Sequence, residues 1–309
     1  MPGANDLHSL DYTEDLTQAG IAHLCRHLHH IGARRRDLGF NALRQHVAET
    51  AAELALMRHL ARHEIPYTVS ASRSPSSRAS GILLGGRSLF LHVQLVSQAR
   101  SVAGLSQDPA RHLKQPVALD TRVLDDAQAP EGIHLALRVL GTVTKGPREL
   151  IEPHFLLVPL SQEWARPGAW RPLGELAFKL EGGAPLDLEL GGLDEGRRFI
   201  HYDLHLLAGQ RQSLESGLFS LSYLRAKTLP GGRLGVSSAG TGLRHIAAPK
   251  EWGNLWVYGR QIVLLGYLPG RDLLGKRRDR RGTELEQWRP VGDLFERARQ
   301  WAGQERIGR

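Results

Sequence analysis

Cysteine is nearly absent from this sequence: Cys25 is the single one among 309 residues. One cysteine excludes an internal disulfide and a multi-cysteine zinc site, and it agrees with a reducing compartment. Long hydrophobic runs are missing too. No stretch approaches the roughly 20 apolar residues that a bilayer-spanning helix needs. The N-terminus, MPGANDLHSLDYTED, is acidic and polar where a secretory signal is basic and then apolar. A cytosolic (cytoplasmic) protein with no membrane partner is expected. No phosphate loop with Gly-Lys-Ser/Thr and no dinucleotide fingerprint occurs, and GVSSAG around Ser237 lacks the spacing of a nucleophile elbow. Nucleotide-driven chemistry is therefore not expected.

What is abundant is arginine. The formal net charge is +8, and lysine supplies only six of the 40 basic residues. Arginine offers a rigid five-donor fork suited to phosphate, so this balance favours nucleic acid among acidic partners. A GC-rich genome would also enrich arginine, leucine, alanine and glycine, and composition leaves the two explanations open. Hydrophobic residues at 41% and charged residues at 23% describe an ordinary globular chain, long enough for one large domain with an insertion or for two domains.

Periodicity predicts a helix from about Glu14 to His29 and a second, longer one over FNALRQHVAETAAELALMRHLARHE, where Phe40, Leu43, Val47, Ala51, Leu54 and Met57 recur at helical spacing before Pro66. YTVS reads as a short strand and ASRSPSSRAS as an exposed loop. Next, Ile82 to Leu84 lead into a Gly85-Gly86 turn. Beyond it Leu89, Leu91, Val93 and Leu95 alternate with Phe90, His92, Gln94 and Val96, a hairpin whose second strand has one core face and one mixed face. A helix broken near Gly104 and Pro109 and a strand over IHLALRVLG follow. Helices and strands in this order predict an α/β arrangement over residues 1–150. Short alternating runs separated by glycine turns then predict a mostly antiparallel, sandwich-like β-rich module over 151–248. Residues 249–309 read as closing strands, a basic loop and a last amphipathic helix.

The order over residues 40 to 141 resembles the PD-(D/E)XK nuclease superfamily, the restriction-endonuclease-like fold. In that family a helix often carrying a glutamate precedes a hairpin, an aspartate starts the second strand, and the third strand bears a Glu-x-Lys pair before a helix and a fourth strand. Here the helix carries Glu49 and Glu53, one turn apart and so on one face. Counting back from the third strand, the aspartate position falls at Ser80 or Gly81, the acidic position at His92 and the lysine position at Gln94. The resemblance covers about a third of the chain and rests on element order and hairpin spacing, because most motif residues are replaced. Some members carry glutamine in the last place, so Gln94 alone does not decide the matter.

Hydrolysis of a phosphodiester by this family needs carboxylates to hold Mg²⁺, since a hard cation prefers oxygen ligands. A serine or glycine together with an imidazole does not provide that charge. Glu53, His92 and Gln94 are therefore expected to mark a degenerate site, with no cofactor. A non-catalytic nucleic-acid-binding or scaffolding subunit is expected, working beside an active protein partner in a defence (for instance antiviral), repair or mobile-element complex. DNA is the favoured ligand. The rivals are a divergent metal-dependent endonuclease that uses Mg²⁺ through Glu49, Glu53 and His92, a ligand-binding or assembly subunit acting through the β module, and a plain hairpin unrelated to nucleases.

Candidate phosphate contacts are Arg34, Arg35 and Arg36, and Lys276, Arg277, Arg278, Arg280 and Arg281; residues 271–281 carry a net charge of +4. His201, Asp203 and His205 lie at i, i+2 and i+4 of a strand, and His23, His27 and His30 share a helix face. Each set is open to two readings, a divalent-metal grip or a solvated polar stripe. Tryptophans in EWARPGAW and EWGNLW sit beside turns and are expected to anchor a junction between modules, with stacking on sugars or bases as the alternative.

Overall fold

The structure, a computed structural model, describes residues 3–31, 39–70, 80–117, 119, 126, 129–146, 148–274 and 288–307. In chain order these form β1 (His8–Asp11), α1 (Glu14–Ile31), α2 (Phe40–Arg62), β2 (Thr68–Val69), β3 (Ile82–Leu84), β4 (Arg87–Val96), α3 (Ala99–Gln107), α4 (Ala110–Leu113) and β5 (Ile133–Thr142). Then come β6 (Leu156–Pro159), α5 (Gln162–Ala165), β7 (Glu175–Leu180), β8 (Leu186–Leu193), β9 (Phe199–Leu206), β10 (Arg211–Glu215), β11 (Ser220–Ala226), β12 (Leu234–Ser238) and β13 (Arg244–Ala247). The chain closes with β14 (Gly253–Asn254), β15 (Tyr258–Pro269), α6 (Gly270–Leu274) and α7 (Val291–Ile307). No helix among the described residues is long and apolar enough to cross a membrane.

The chain forms two compact units. Met1–Gln18, Ala48–Thr142 and Tyr258–Arg309 make the first, Ala19–Val47 and Val143–Val257 the second. The sequence divisions at residues 150 and 248 fall elsewhere for two reasons. Strand β15 supplies the pairing edge of β5 and so counts with the first unit. The start of α2 packs on the β module instead: Arg44 bonds Asn254, and the Phe40 ring lies against Gly253, where a Cβ would collide with it.

In the first unit six strands form one mixed sheet in the order β1-β15-β5-β4-β3-β2. Strands β2, β3 and β4 run as an antiparallel meander, and β5 is parallel to β4 because the crossover through α3 reverses the chain. The β3–β4 turn is built by Gly85 and Gly86 at φ 52° and 72°, the double left-handed conformation that a two-residue hairpin needs. Helix α2 stops where Glu64 takes φ 52° and the Ile65 N–H donates to Leu60 O at 2.9 Å, with Glu64 N–H on Ala61 O at 3.2 Å. Those two bonds satisfy carbonyls of the last turn while Leu60 and Ile65 join the same apolar cluster, and Pro66 prevents continuation. The sheet is covered on both faces. One cluster joins Ala48, Ala51, Ala55 and Leu56 of α2 to Leu89, Leu135, Leu137 and Val139. Another joins Val102 and Leu105 of α3 to Ala136, Leu140, Val263 and Trp288.

The second unit contains a four-stranded antiparallel sheet, β10-β7-β12-β13, and a five-stranded one, β14-β6-β11-β8-β9. Alternate residues of both, among them Phe178, Val236, Leu188 and Leu224, form one shared core, the arrangement of a β-sandwich. Trp164 and Trp252 are fully enclosed in that core, which differs from the expectation that they anchor a junction. Asn254 staples the sandwich end: its Oδ1 accepts the Phe155 and Trp256 N–H groups at 3.0 and 2.9 Å, and its own carbonyl takes two bonds from Arg44 at 2.9 and 2.7 Å. Cys25 is buried beside Tyr223, and burial pushes its thiol up to about 12, the behaviour of an inert core residue.

Candidate functional site

The positions singled out by the nuclease resemblance lie on α2, β3 and β4 in the first unit. Glu53 projects from α2, and its Oε1 accepts the Gly81 N–H at 3.0 Å. A helix carboxylate thus meets the start of β3, the place an aspartate would occupy. Beside it the Ser80 hydroxyl donates to Leu89 O at 2.8 Å and takes no part in an acidic group. Glu49 is half-buried one turn earlier.

His92 and Gln94 do not join this pair. Side chains alternate across a strand, and the α2 side of β4 is taken by Leu89, Leu91, Val93 and Leu95. His92 and Gln94 therefore face the other way, toward α3 and α4. That mixed face is closed over by protein, and His92 is only 2% exposed.

There they enter a buried polar network that sequence reading missed. Parallel pairing sets His92 beside Ala136 and Gln94 beside Arg138, so the even-numbered side chains of β5 share this face. His92 Nε2 lies 3.0 Å from His134 Nδ1, and His134 Nε2 lies 2.8 Å from Ala129 O. Since Ala129 O can only accept, Nε2 of His134 carries its hydrogen and its Nδ1 accepts from His92 Nε2. Phe90 stacks on His134 at 5.0 Å, and Trp288 meets His92 edge-on at 6.3 Å.

Arg138 is fully buried and engages its fork throughout. Nε donates to Gln94 Oε1 at 3.1 Å, Nη1 to His112 O at 2.7 Å, and Nη2 to Gln115 O at 2.9 Å and Pro116 O at 3.2 Å. These carbonyls belong to α4 and to the loop that follows it, and His112 O also takes a long 3.5 Å bond from the Gln115 N–H. Burial lowers the Arg138 guanidinium to about 10, which leaves it charged at neutral pH. Burial, and then the nearby Arg138, lower His112 to about 4; burial also lowers His134. The network thus holds neutral imidazoles around one guanidinium. It presents N–H donors and ring nitrogens where Mg²⁺ would require carboxylate oxygens. A signal was present in IHLALRVLG, an apolar strand carrying His134 and Arg138 four residues apart and hence on one face.

The other candidates sit in the second unit or outside the described residues. His201, Asp203 and His205 are exposed on one face of β9, and His205 Nδ1 lies 2.8 Å from Asp187 Oδ1. On α1 the rings of His23 and His27 stack at 4.3 Å, and His27 Nδ1 bonds His23 O at 2.8 Å; the His30 ring lies tilted against His29 at 3.9 Å. Among the described residues no group of three or more His, Cys, Asp or Glu is placed to hold a metal ion. Arg34, Arg35 and Arg36, and Lys276, Arg277, Arg278, Arg280 and Arg281, lie outside the described residues. No protein-family model matches the chain, and no curated protein or solved structure matches it.

Proposed function

We propose that the first unit is a restriction-endonuclease-like core without a working metal centre, and that the protein is a non-catalytic nucleic-acid-binding or scaffolding subunit beside an active partner. One observation carries the reading: helix, three-stranded meander, helix and parallel fourth strand follow in order over α2 to β5, with Glu53 bonded to the Gly81 N–H just before β3. The α2-facing positions of β4, Leu89, Leu91, Val93 and Leu95, offer no ligand, and His92 and Gln94 serve the buried network on the opposite face. The net charge of +8 supports a polyanionic ligand, DNA before RNA.

Purified protein incubated with plasmid and Mg²⁺ or Mn²⁺ is expected to leave the DNA intact. Cleavage that disappears in Glu53→Ala would overturn the pseudo-enzyme reading in favour of a divergent nuclease. Retardation of duplex DNA at low salt, weakening steeply as salt rises and lost on neutralising Lys276 to Arg281, is the expected binding result. Full mobility of the DNA at low salt would instead favour an assembly role through the sandwich.

A further inference from the structure

Strand β10 is the terminal strand of its sheet and reads Arg-Gln-Ser-Leu-Glu. Its register with β7 sets Arg211 directly opposite Lys179 and Glu215 directly opposite Glu175. Arg211, Ser213 and Glu215 alternate on the exposed side of the strand. Like charges facing each other across an antiparallel pair are unfavourable. Here one such rung is positive and the other negative, four residues or about 13 Å apart along the strand. None of the four side chains forms an ion pair with a described residue.

The two signs are placed symmetrically about Ser213, which makes the edge complementary to itself. An antiparallel copy of β10 centred on Ser213 would put Arg211 opposite Glu215 of the second copy, Gln212 opposite Leu214, and Ser213 opposite Ser213. Each rung would then read Lys179, Arg211, glutamate, glutamate across four strands, so both like-charge pairs gain an opposite-charge neighbour at the usual strand spacing of roughly 4.8 Å. Edges guarded against association usually carry charge that repels a copy. This one attracts its own two-fold image.

We infer that β10 is a docking edge for a second copy of this chain, joining two four-stranded sheets into one continuous eight-stranded sheet about a two-fold axis through Ser213. The contact is independent of the nucleic-acid reading. A five-residue edge makes a small interface, so the association is reversible and weakens with salt.

Sedimentation equilibrium of the full chain at low salt is expected to show a monomer–dimer equilibrium. Arg211→Glu places two glutamates on the edge, and Glu215→Arg places two arginines. Each variant is expected to raise the dimer dissociation constant at least about tenfold. An equimolar mixture of the two should associate again, and the double exchange Arg211→Glu with Glu215→Arg should restore self-association. If a charge reversal fails to fold by circular dichroism, Arg211→Gln and Glu215→Gln provide the same comparison with neutral side chains. A wild-type chain that stays monomeric up to about 0.5 mM overturns the proposal. So does a dimer that neither single change weakens.

Discussion

Replacing Arg138 by alanine should loosen the first unit around β4, β5 and α4 without disturbing the sandwich. The oxygen acceptors of the guanidinium fall into two groups. Gln115 and Pro116 are exposed residues, whereas inside the protein the Oε1 of half-buried Gln94 loses the Arg138 donor and the carbonyl of buried His112 is left with weaker backbone N–H donors, such as Gln115 at 3.5 Å. Two buried acceptors that lose their strongest donor cost about 1–3 kcal/mol each. Relief of a buried charge offsets part of the total. The balance is about 3 kcal/mol, or roughly 150-fold in an opening equilibrium. Hydrogen–deuterium exchange read by mass spectrometry separates the two units: peptides from β4, β5 and α4 should exchange faster by that factor, while those from β8 and β11 keep wild-type rates. Acceleration below about fivefold in β5 would refute the view that Arg138 holds the end of α4 in place.

Three further outcomes follow from the geometry. His112 and His134 are held neutral, so the stability they contribute is complete above the unfolded histidine value of 6.5 and is lost as the pH falls below it, for His112 down to about 4; protection factors of β5 amides, which divide out the pH dependence of intrinsic exchange, should fall across that window and stay level between pH 7 and 8. Asn254→Ala leaves the Phe155 and Trp256 N–H groups without acceptors and should destabilise the sandwich by about 2–4 kcal/mol in denaturant titrations, with Asn254→Asp recovering part of the loss. Gly191→Ala drives a methyl into the Tyr223 ring, whose hydroxyl donates to Glu189 at 2.8 Å, and should lower the sandwich's unfolding free energy by about 1–3 kcal/mol; an unchanged denaturation midpoint would contradict the packing described.

Local signals in the sequence located much of the secondary structure. The periodicity of α2, the Gly85-Gly86 turn, the helix break at Pro109 and the antiparallel runs of the β module all follow from short-range patterns and are present in the structure, whereas α3 runs unbroken through Gly104, where the sequence predicts a break. Long-range pairing was not legible. Nothing local says that β15 pairs with β5, or that β1 pairs with β15 across some two hundred and fifty residues. The candidate site misled for a related reason. Alternation assigns His92 and Gln94 to one face of β4 but does not say what covers that face. On an edge or half-open sheet such residues meet water; here α3, α4 and Trp288 cover them, and their partners come from β5 and from the end of α4. A histidine in a strand reads the same way in the sequence whether it waits for a metal, faces solvent or bonds to another histidine.

The pairing of β5 between β4 and β15 bears on how the protein is made. When the ribosome has delivered β5, one side of that strand can zip to β4 at once, but its other side must wait for residues 258–269, and β1 waits for the same segment. Throughout translation of the intervening sandwich, an almost wholly apolar strand carries a bare hydrogen-bonding edge. The nascent chain is thus most prone to mispairing during that interval, and slow synthesis or crowding there would reduce the yield of native protein more than an equal delay after β15 has emerged.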